Sequence, residues 1–129
     1  MLKISREVDL GLLLLVDLAR SNELVGLKEW AEKRGLPYRY LSKVAVRLKK
    51  AGLLKSKEGR EGGYRLGKTA KRIKIGEVIE VLEGPIAPVS CMRGMKCACS
   101  DYCGHKGLMV KLTEVVEKQL GEVSLEDLC

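Results

Sequence analysis

The chain has 129 residues, of which 46% are hydrophobic and 32% are charged. This length suits one domain and excludes a large two-domain enzyme, and the balance of apolar and charged residues excludes a disordered or a membrane-embedded chain. Aromatic residues make up 4% of the sequence, with no Phe, so the core has to be built from Leu, Val, Ile and Ala, which favours packed helices over a β-sandwich.

Three helices are predicted in the first part of the chain, over residues 5–20, 27–34 and 37–51. Ser5 is suited to cap the first helix because its hydroxyl can accept a backbone N–H of the opening turn. Gly35 ends the second helix, and Pro37 is predicted as the first residue of the third, where its missing N–H is tolerated. The second and third helices, joined by a glycine-containing turn, form a helix-turn-helix pattern.

Two short strands are predicted after the third helix, over residues 53–57 and 64–66, and a glycine-rich turn joins them. A helix-turn-helix followed by a basic hairpin is typical of a winged helix-turn-helix domain. A fourth helix is predicted over residues 75–82, and Gly84 and Pro85 then break the chain. The predicted fold is therefore mainly α with a small β-hairpin wing, and residues 1–84 form the winged helix-turn-helix domain.

Positive charge is concentrated in the same part of the chain. Residues 34–74 contain 14 basic side chains and only two acidic ones. Such a segment attracts polyanions, nucleic acid before anionic lipid, and an ordinary solvated surface is the alternative. The residues predicted to reach DNA lie on the third helix and the wing, and they are Tyr38, Arg39, Ser42, Lys43, Arg47, Lys57 and Arg60. Most of these contacts should go to phosphates and only one or two to bases.

All five cysteines lie in the last part of the chain, at Cys91, Cys97, Cys99, Cys103 and Cys129. Four thiols within thirteen residues, with no secretory signal predicted, favour metal or redox chemistry in a reducing compartment over a disulfide framework. The apolar run at residues 10–16 is too short to span a membrane. We therefore expect a cytoplasmic protein with no membrane association, in which the terminal Cys129 is a free thiol.

The segment 85–106 is predicted as an irregular, cysteine-rich loop. Thiolates are ligands for iron-sulfur clusters, zinc and copper(I). Structural zinc usually uses paired CxxC knuckles, which this sequence lacks. Zinc, a thiol-disulfide switch and unliganded thiols stay open as alternatives to a cluster.

A final helix is predicted over residues 107–120 from the helical spacing of its apolar positions. A lone helix beyond a loop, in a chain too small for a second core, either packs on its own domain or pairs with a second copy. We expect the pairing, so residues 107–129 are predicted as a dimerisation helix followed by a C-terminal turn. Ser124 and Asp127 resemble a capping box that opens this turn.

Four phrases of the sequence together resemble a known family. They are Tyr40-Leu41, the wing phrase GGYRLGK at residues 62–68, IGEVI at residues 75–79, and Cys91-x5-Cys97-x5-Cys103. The chain resembles, over nearly its whole length, the bacterial winged-helix regulators that include the iron-sulfur regulators IscR and NsrR. The resemblance implies a homodimeric transcription factor that binds pseudo-palindromic double-stranded DNA and whose cluster state, set by iron-sulfur supply, oxygen or nitric oxide, tunes that binding.

The resemblance also implies a ligand set for the cluster. Cys91, Cys97 and Cys103 would be three cluster thiolates. The fourth ligand is open between Asp9 of the partner subunit, which matches a carboxylate that NsrR uses, and His105, which stands one residue before the position of the IscR histidine. Cys99 has no counterpart in the family pattern and is a third alternative. The family uses 2Fe-2S and 4Fe-4S clusters, and the cysteine spacing does not decide between them.

Rival functions are a cluster-free regulator of the same fold, a redox enzyme and an RNA-binding protein. The sequence has no CxxC dithiol motif, a single His and no Gly-rich nucleotide loop, so we predict that it is not an enzyme. RNA recognition usually relies on aromatic stacking, and this chain has only four Tyr and one Trp. A cluster-free regulator, using a thiol switch or structural zinc, remains the main alternative.

Overall fold

A computed structural model describes residues 3–86 and 97–129. Its regular elements, in chain order, are α1 (Arg6–Ser21), α2 (Leu27–Arg34), α3 (Tyr38–Lys50), β1 (Leu54–Lys57), β2 (Gly63–Leu66), α4 (Ile75–Glu83) and α5 (Lys106–Glu122). Two 3-10 turns are also formed, Ala70–Arg72 before α4 and Leu125–Leu128 after α5. The predicted order of four helices, a hairpin wing and a last helix is present, while the turn at Ala70–Arg72 was not predicted.

Local signals set the ends of the first three helices. The Ser5 hydroxyl accepts the N–H of Val8 at 3.3 Å, as a capping residue should. Gly35, in the left-handed conformation at φ 64°, ends α2. Pro37 has an extended backbone and is the N-cap of α3, so the helix begins at Tyr38, one residue later than predicted. The difference arises because ψ at Pro37 is 106°, so the helical conformation starts only at Tyr38.

The core lies where α1, α3 and α4 meet. Its members are almost all aliphatic, as the composition requires, and α1 alone contributes Val8, Leu10, Leu14, Leu15 and Leu18. On α3 the buried positions recur at helical spacing, at Leu41, Val44, Ala45 and Leu48. This stripe fixes which side of α3 faces the solvent.

The wing is a two-stranded antiparallel hairpin, and one residue of the helical domain forms a β-bridge with it. Leu54 pairs with Leu66 and Lys57 with Gly63. Val25, between α1 and α2, exchanges backbone hydrogen bonds with Tyr64 at 2.9 and 2.8 Å. This bridge attaches the wing to the helices.

Gly63 is needed for that attachment. A Cβ atom at this position would lie 2.5 Å from the carbonyl oxygen of Val25, which is a backbone atom that cannot move away alone. We expect Gly63→Ala to reduce the free energy of unfolding by about 1–3 kcal/mol, the usual cost of overpacking. Urea titration followed by circular dichroism measures this change. Gly104→Ala, where a Cβ would meet nothing within 4 Å, is the control, and equal stability of the Gly63→Ala variant and wild type would contradict the prediction.

The C-terminal residues return to the core after α5. The N–H of Ile75 donates to the carbonyl of Val123 at 3.0 Å, and the N–H of Leu125 donates to that of Ile73 at 2.8 Å. The Leu125 side chain is completely buried in the main core. The C-terminal end of the last helix is therefore connected to α4 and to the residues just before it.

The predicted capping box is confirmed at this return. The backbone N–H and the hydroxyl of Ser124 donate to Oδ2 of Asp127 at 2.9 and 3.1 Å. These two hydrogen bonds, the backbone one first, lower the pKa of Asp127 below its ordinary value, and the charge of Lys74 acts in the same direction.

A carboxylate with a lowered pKa stabilises the fold when it is ionised. Its contribution is present above the unfolded pKa, near pH 4, and is lost as the pH falls through the lowered folded value. Wild type should therefore be more stable than Asp127→Asn at pH 7, and the difference should disappear as the solution is acidified below about pH 4. Urea titrations of both proteins, from pH 7 to below about pH 4, test this prediction. A difference in the free energy of unfolding that persists unchanged in acid would contradict it.

Candidate DNA-binding surface and cysteine segment

The outward face of α3 is basic along its length. Arg39, Lys43 and Lys50 lie opposite the buried stripe and are exposed. Val46, which is 44% exposed, lies among them. A row of cations on a helix face suits DNA phosphates, and an apolar side chain among them suits a thymine methyl group in the major groove. Sequence reasoning missed Val46 because only residues with polar or charged groups were selected as DNA contacts.

The other predicted residues of α3 have more specific surroundings. Tyr38, at the start of the helix, is 43% exposed. The hydroxyl of Ser42 donates to the carbonyl of Arg39 at 2.8 Å, so its oxygen remains available only as an acceptor. Arg47 is on the flank of α3, where its guanidinium donates to Glu7 Oε2 at 2.6 Å and to the carbonyl oxygen of Val81 at 2.9 Å.

The wing carries a second group of cations. Lys57 ends β1 and Arg60 lies in the turn, and both side chains are exposed. Lys55 and Arg65 are cross-strand partners on the hairpin. Like charges directly opposite each other weaken a hairpin, and a bound polyanion relieves this repulsion. Lys55 and Arg65 were not among the residues predicted to reach DNA, because their pairing depends on the strand register.

The cysteine segment is described from residue 97 onward, and Cys91 lies outside the described residues. Cys97 and Cys103 are half-buried, whereas Cys99 is exposed. The N–H of Cys99 donates to the sulfur of Cys97 at 3.4 Å. The remaining backbone is a series of tight turns that leads to His105, the N-cap residue of α5. The segment thus presents thiols on a turn-rich backbone immediately before the last helix.

Asp9 lies in the first turn of α1 and is exposed. Its Oδ2 accepts from Nη1 of Arg6 at 2.8 Å, and about half of the carboxylate side chain is open to solvent. An exposed ion pair of this kind contributes little to stability, so the carboxylate is free to take another partner.

The donor chemistry of this segment fits an iron-sulfur cluster. Thiolates hold such clusters, and N–H groups that donate to the sulfurs, as Cys99 does to Cys97, tune their reduction potential. Within residues 3–86 and 97–129, no three side chains of His, Cys, Asp or Glu are grouped as metal ligands.

Helix α5 keeps an apolar face in solvent. It contains no buried residue, and Leu108, Leu112 and Val115 are between 40% and 58% exposed. These positions recur at helical spacing on one side. No helix in the described part of the chain is long and apolar enough to cross a membrane.

Comparison with known proteins identifies the family. A family model described as Rrf2, an iron-dependent transcriptional regulator, matches residues 4–129. The chain belongs to the Rrf2 family. The transcriptional regulator NsrR of Bacillus licheniformis is 36% identical over 98% of this chain and 92% of its own length.

Solved structures of Rrf2 relatives confirm the predicted winged-helix fold. CymR (YrzC), the global cysteine regulator of B. subtilis, matches with a TM-score of 0.82 and 35% identity over 99% of this chain and 96% of its own. T. potens IscR matches with a TM-score of 0.78 and 34% identity over 98% and 85%. This chain is thus an Rrf2-family transcription regulator with a DNA-binding winged helix. Its relatives are named as regulators, in agreement with the prediction that it is not an enzyme.

Proposed function

We propose that this protein is a homodimeric transcription regulator whose DNA binding responds to an iron-sulfur cluster held by the cysteine segment. The observation that carries the proposal is the combination of a basic winged-helix surface with a group of thiols placed between α4 and α5. The family description, iron-dependent transcriptional regulator, supports the choice of iron. The three-part division into residues 1–84, 85–106 and 107–129 follows from this assignment of roles.

The cluster ligands are proposed to be Cys91, Cys97 and Cys103, with Asp9 of the partner subunit or His105 as the fourth. Cys99 is the third alternative. When bound, the cluster supplies a centre that oxygen, nitric oxide or iron shortage can modify. Either a 2Fe-2S or a 4Fe-4S centre satisfies the proposal.

The DNA contacts are proposed to come from the outward face of α3 and from the wing. In this proposal Arg39 and Lys43 bind phosphates, while Tyr38 and Ser42 contact base edges. Lys57 and Arg60 bind phosphates beside the neighbouring groove. Two such heads in a dimer would bind half-sites of a pseudo-palindrome, because the protein two-fold axis is repeated in the operator.

The exposed apolar face of α5 is proposed to form the dimer interface. We expect Leu112→Lys to raise the dimer dissociation constant at least about 100-fold, because each subunit would lose a buried leucine and bury a charge. Glu114→Lys introduces the same side chain on the opposite side of the helix and is the matched control. Sedimentation velocity across a concentration series measures the change. Equal dimer dissociation constants for Leu112→Lys and Glu114→Lys would contradict the assignment of this face.

The proposal is tested first on wild-type protein purified without oxygen. We expect visible absorption bands and iron equal to sulfide in the same sample, and the two together distinguish two-iron from four-iron centres. A colourless protein that contains zinc or no metal after anaerobic reconstitution would overturn the cluster and leave the DNA-binding role intact.

A cluster-free regulator is the second candidate. The observation that favours it is the match to CymR, named as a global cysteine regulator, over 99% of this chain. In that case a thiol switch or zinc would use the same cysteines. The measurement above separates the two candidates, since only the first predicts iron with matching sulfide.

A further inference from the structure

Arg47 extends from α3 to the place where the start of α1 meets the end of α4. Its Nη1 donates to Glu7 Oε2 at 2.6 Å, and its Nη2 donates to the carbonyl oxygen of Val81 at 2.9 Å. Beside them, the N–H of Ser5 donates to Oε1 of Glu83 at 2.6 Å. We refer to Ser5, Glu7, Arg47, Val81 and Glu83 as the three-helix junction.

Each contact of Arg47 is with a polar group at a helix end. The carbonyl of Val81 is in the last turn of α4, where carbonyls have no partner within the helix. Glu7 is in the first turn of α1, where the helix dipole favours a carboxylate. One guanidinium serves both because its N–H groups point in fixed directions from a single plane.

The junction makes Arg47 the link between α3 and the other two helices. Ser5 and Glu83 already hold the start of α1 to the end of α4. Arg47 joins this pair of helix ends to the helix that carries Arg39 and Lys43. These contacts use one N–H of each terminal nitrogen of the guanidinium, and a phosphate contact through the same N–H groups would break the link to Glu7 and Val81.

We propose that Arg47 is a positioning residue and not a DNA contact: its guanidinium fixes the angle at which α3 presents its outward face. This gives Arg47 a different role from the one that the sequence predicted. Lys43, which is exposed on the outward face, keeps the phosphate-binding role.

The same contacts provide a route from the cysteine segment to α3, and this step rests on the proposed function. The chain leaves α4 at Glu83 and continues toward Cys97 and Cys103. Asp9, an alternative fourth ligand for the cluster of the other subunit, shares the first turn of α1 with Glu7. Binding or loss of the cluster would shift the two helix ends that Arg47 holds.

The experiment compares Arg47→Met, Glu7→Gln and Lys43→Met with wild type. Binding is measured by fluorescence anisotropy at several salt concentrations. The probes are a short duplex of random sequence and a duplex of equal length that the wild-type protein enriches from a random pool. Urea titration of each variant tests whether it is folded under the binding conditions. If Arg47→Met is not folded, Glu7→Gln, which is the milder change, tests the positioning role by itself.

We expect Arg47→Met and Glu7→Gln each to weaken binding to the enriched duplex about three- to tenfold, with no change on the random duplex. Neither should change the dependence on salt. Lys43→Met should reduce the slope of log affinity against log salt by about 0.9, the amount expected when one phosphate is no longer neutralised by a cation.

Four results would overturn the positioning role. Arg47→Met could reduce the salt slope as Lys43→Met does, which would show a phosphate contact. Glu7→Gln could strengthen binding to both duplexes, as expected if it only removed a charge that repels DNA. Unchanged discrimination between the duplexes would show a purely structural role, and a wild-type protein that bound neither duplex would overturn both this role and the proposed function.

The link to the cysteine segment is tested with the enriched duplex and two preparations, one reconstituted with iron and sulfide and one treated with chelator. Wild type should show different affinities in the two states, and Arg47→Met should bring their ratio closer to one. If wild type shows no difference, the proposed cluster control fails, while the salt slopes still decide the role of Arg47. An unchanged ratio in Arg47→Met would overturn the link alone.

Discussion

Cys97→Ala and Cys103→Ala are each expected to abolish the visible absorption of the anaerobically reconstituted protein and to reduce bound iron and sulfide to background. Cys91→Ala is expected to do the same, although Cys91 lies outside the described residues. The reason is that a cluster needs a ligand for each accessible iron site, and an alanine methyl group cannot replace a thiolate. Absorption spectra and metal analysis of the same samples measure the effect.

Cys129→Ala is the matched control for these substitutions. Its thiol is exposed and donates to the carbonyl of Leu125 at 3.4 Å. It is separated from the cysteine segment by α5, whose 17 residues span about 25 Å. This variant should keep the full spectrum. Full cluster occupancy in all three variants of the cysteine segment would refute the proposed ligand set.

The fourth ligand is found with the same measurement. Asp9→Asn, His105→Ala and Cys99→Ala each remove one alternative, and only the true ligand should change the spectrum or the stability of the cluster toward oxygen. If Asp9 is the ligand, the effect depends on the dimer, because the carboxylate comes from the other subunit. Leu112→Lys, which separates the subunits, should then reproduce it.

Leu125→Ala is expected to lower the free energy of unfolding by about 2–5 kcal/mol, the range for buried leucines truncated in a packed core. The Leu125 side chain has no exposed surface and belongs to the main cluster formed by α1, α3 and α4. Its N–H also donates to the carbonyl of Ile73 at 2.8 Å. Removal of the side chain therefore leaves a cavity at the site where the C-terminal residues join the domain.

Leu128→Ala, three residues later, is the control for this effect. Leu128 is 41% exposed, so its truncation should change stability by less than about 1 kcal/mol. Urea titrations of both variants give the comparison. Equal stabilities would show that the C-terminal residues are not an integral part of the core. A large loss for Leu125→Ala alone would show that the segment after α5 stabilises the winged-helix domain.

The sequence determined the elements whose signals are local. α2 ends at Gly35 as predicted, because a glycine adopts the left-handed conformation without strain. The hairpin, the capping box of Ser124 and Asp127 and the core stripe of α3 follow from periodicity and side-chain chemistry that act within a few residues. The family, the winged-helix fold and the regulatory function were also available from the sequence, since the wing phrase and the cysteine spacing are specific.

Only the tertiary structure decided which distant residues meet. The bridge of Val25 to Tyr64, the burial of Leu125 and the contacts of Arg47 with Glu7 and Val81 join positions far apart in the chain. No local pattern contains this information, because such contacts depend on how the helices pack around a shared core. For the same reason the sequence predicts a DNA contact for Arg47 from its cationic neighbours along the chain, whereas its neighbours in space, a carboxylate and a helix end, support the positioning role that we propose.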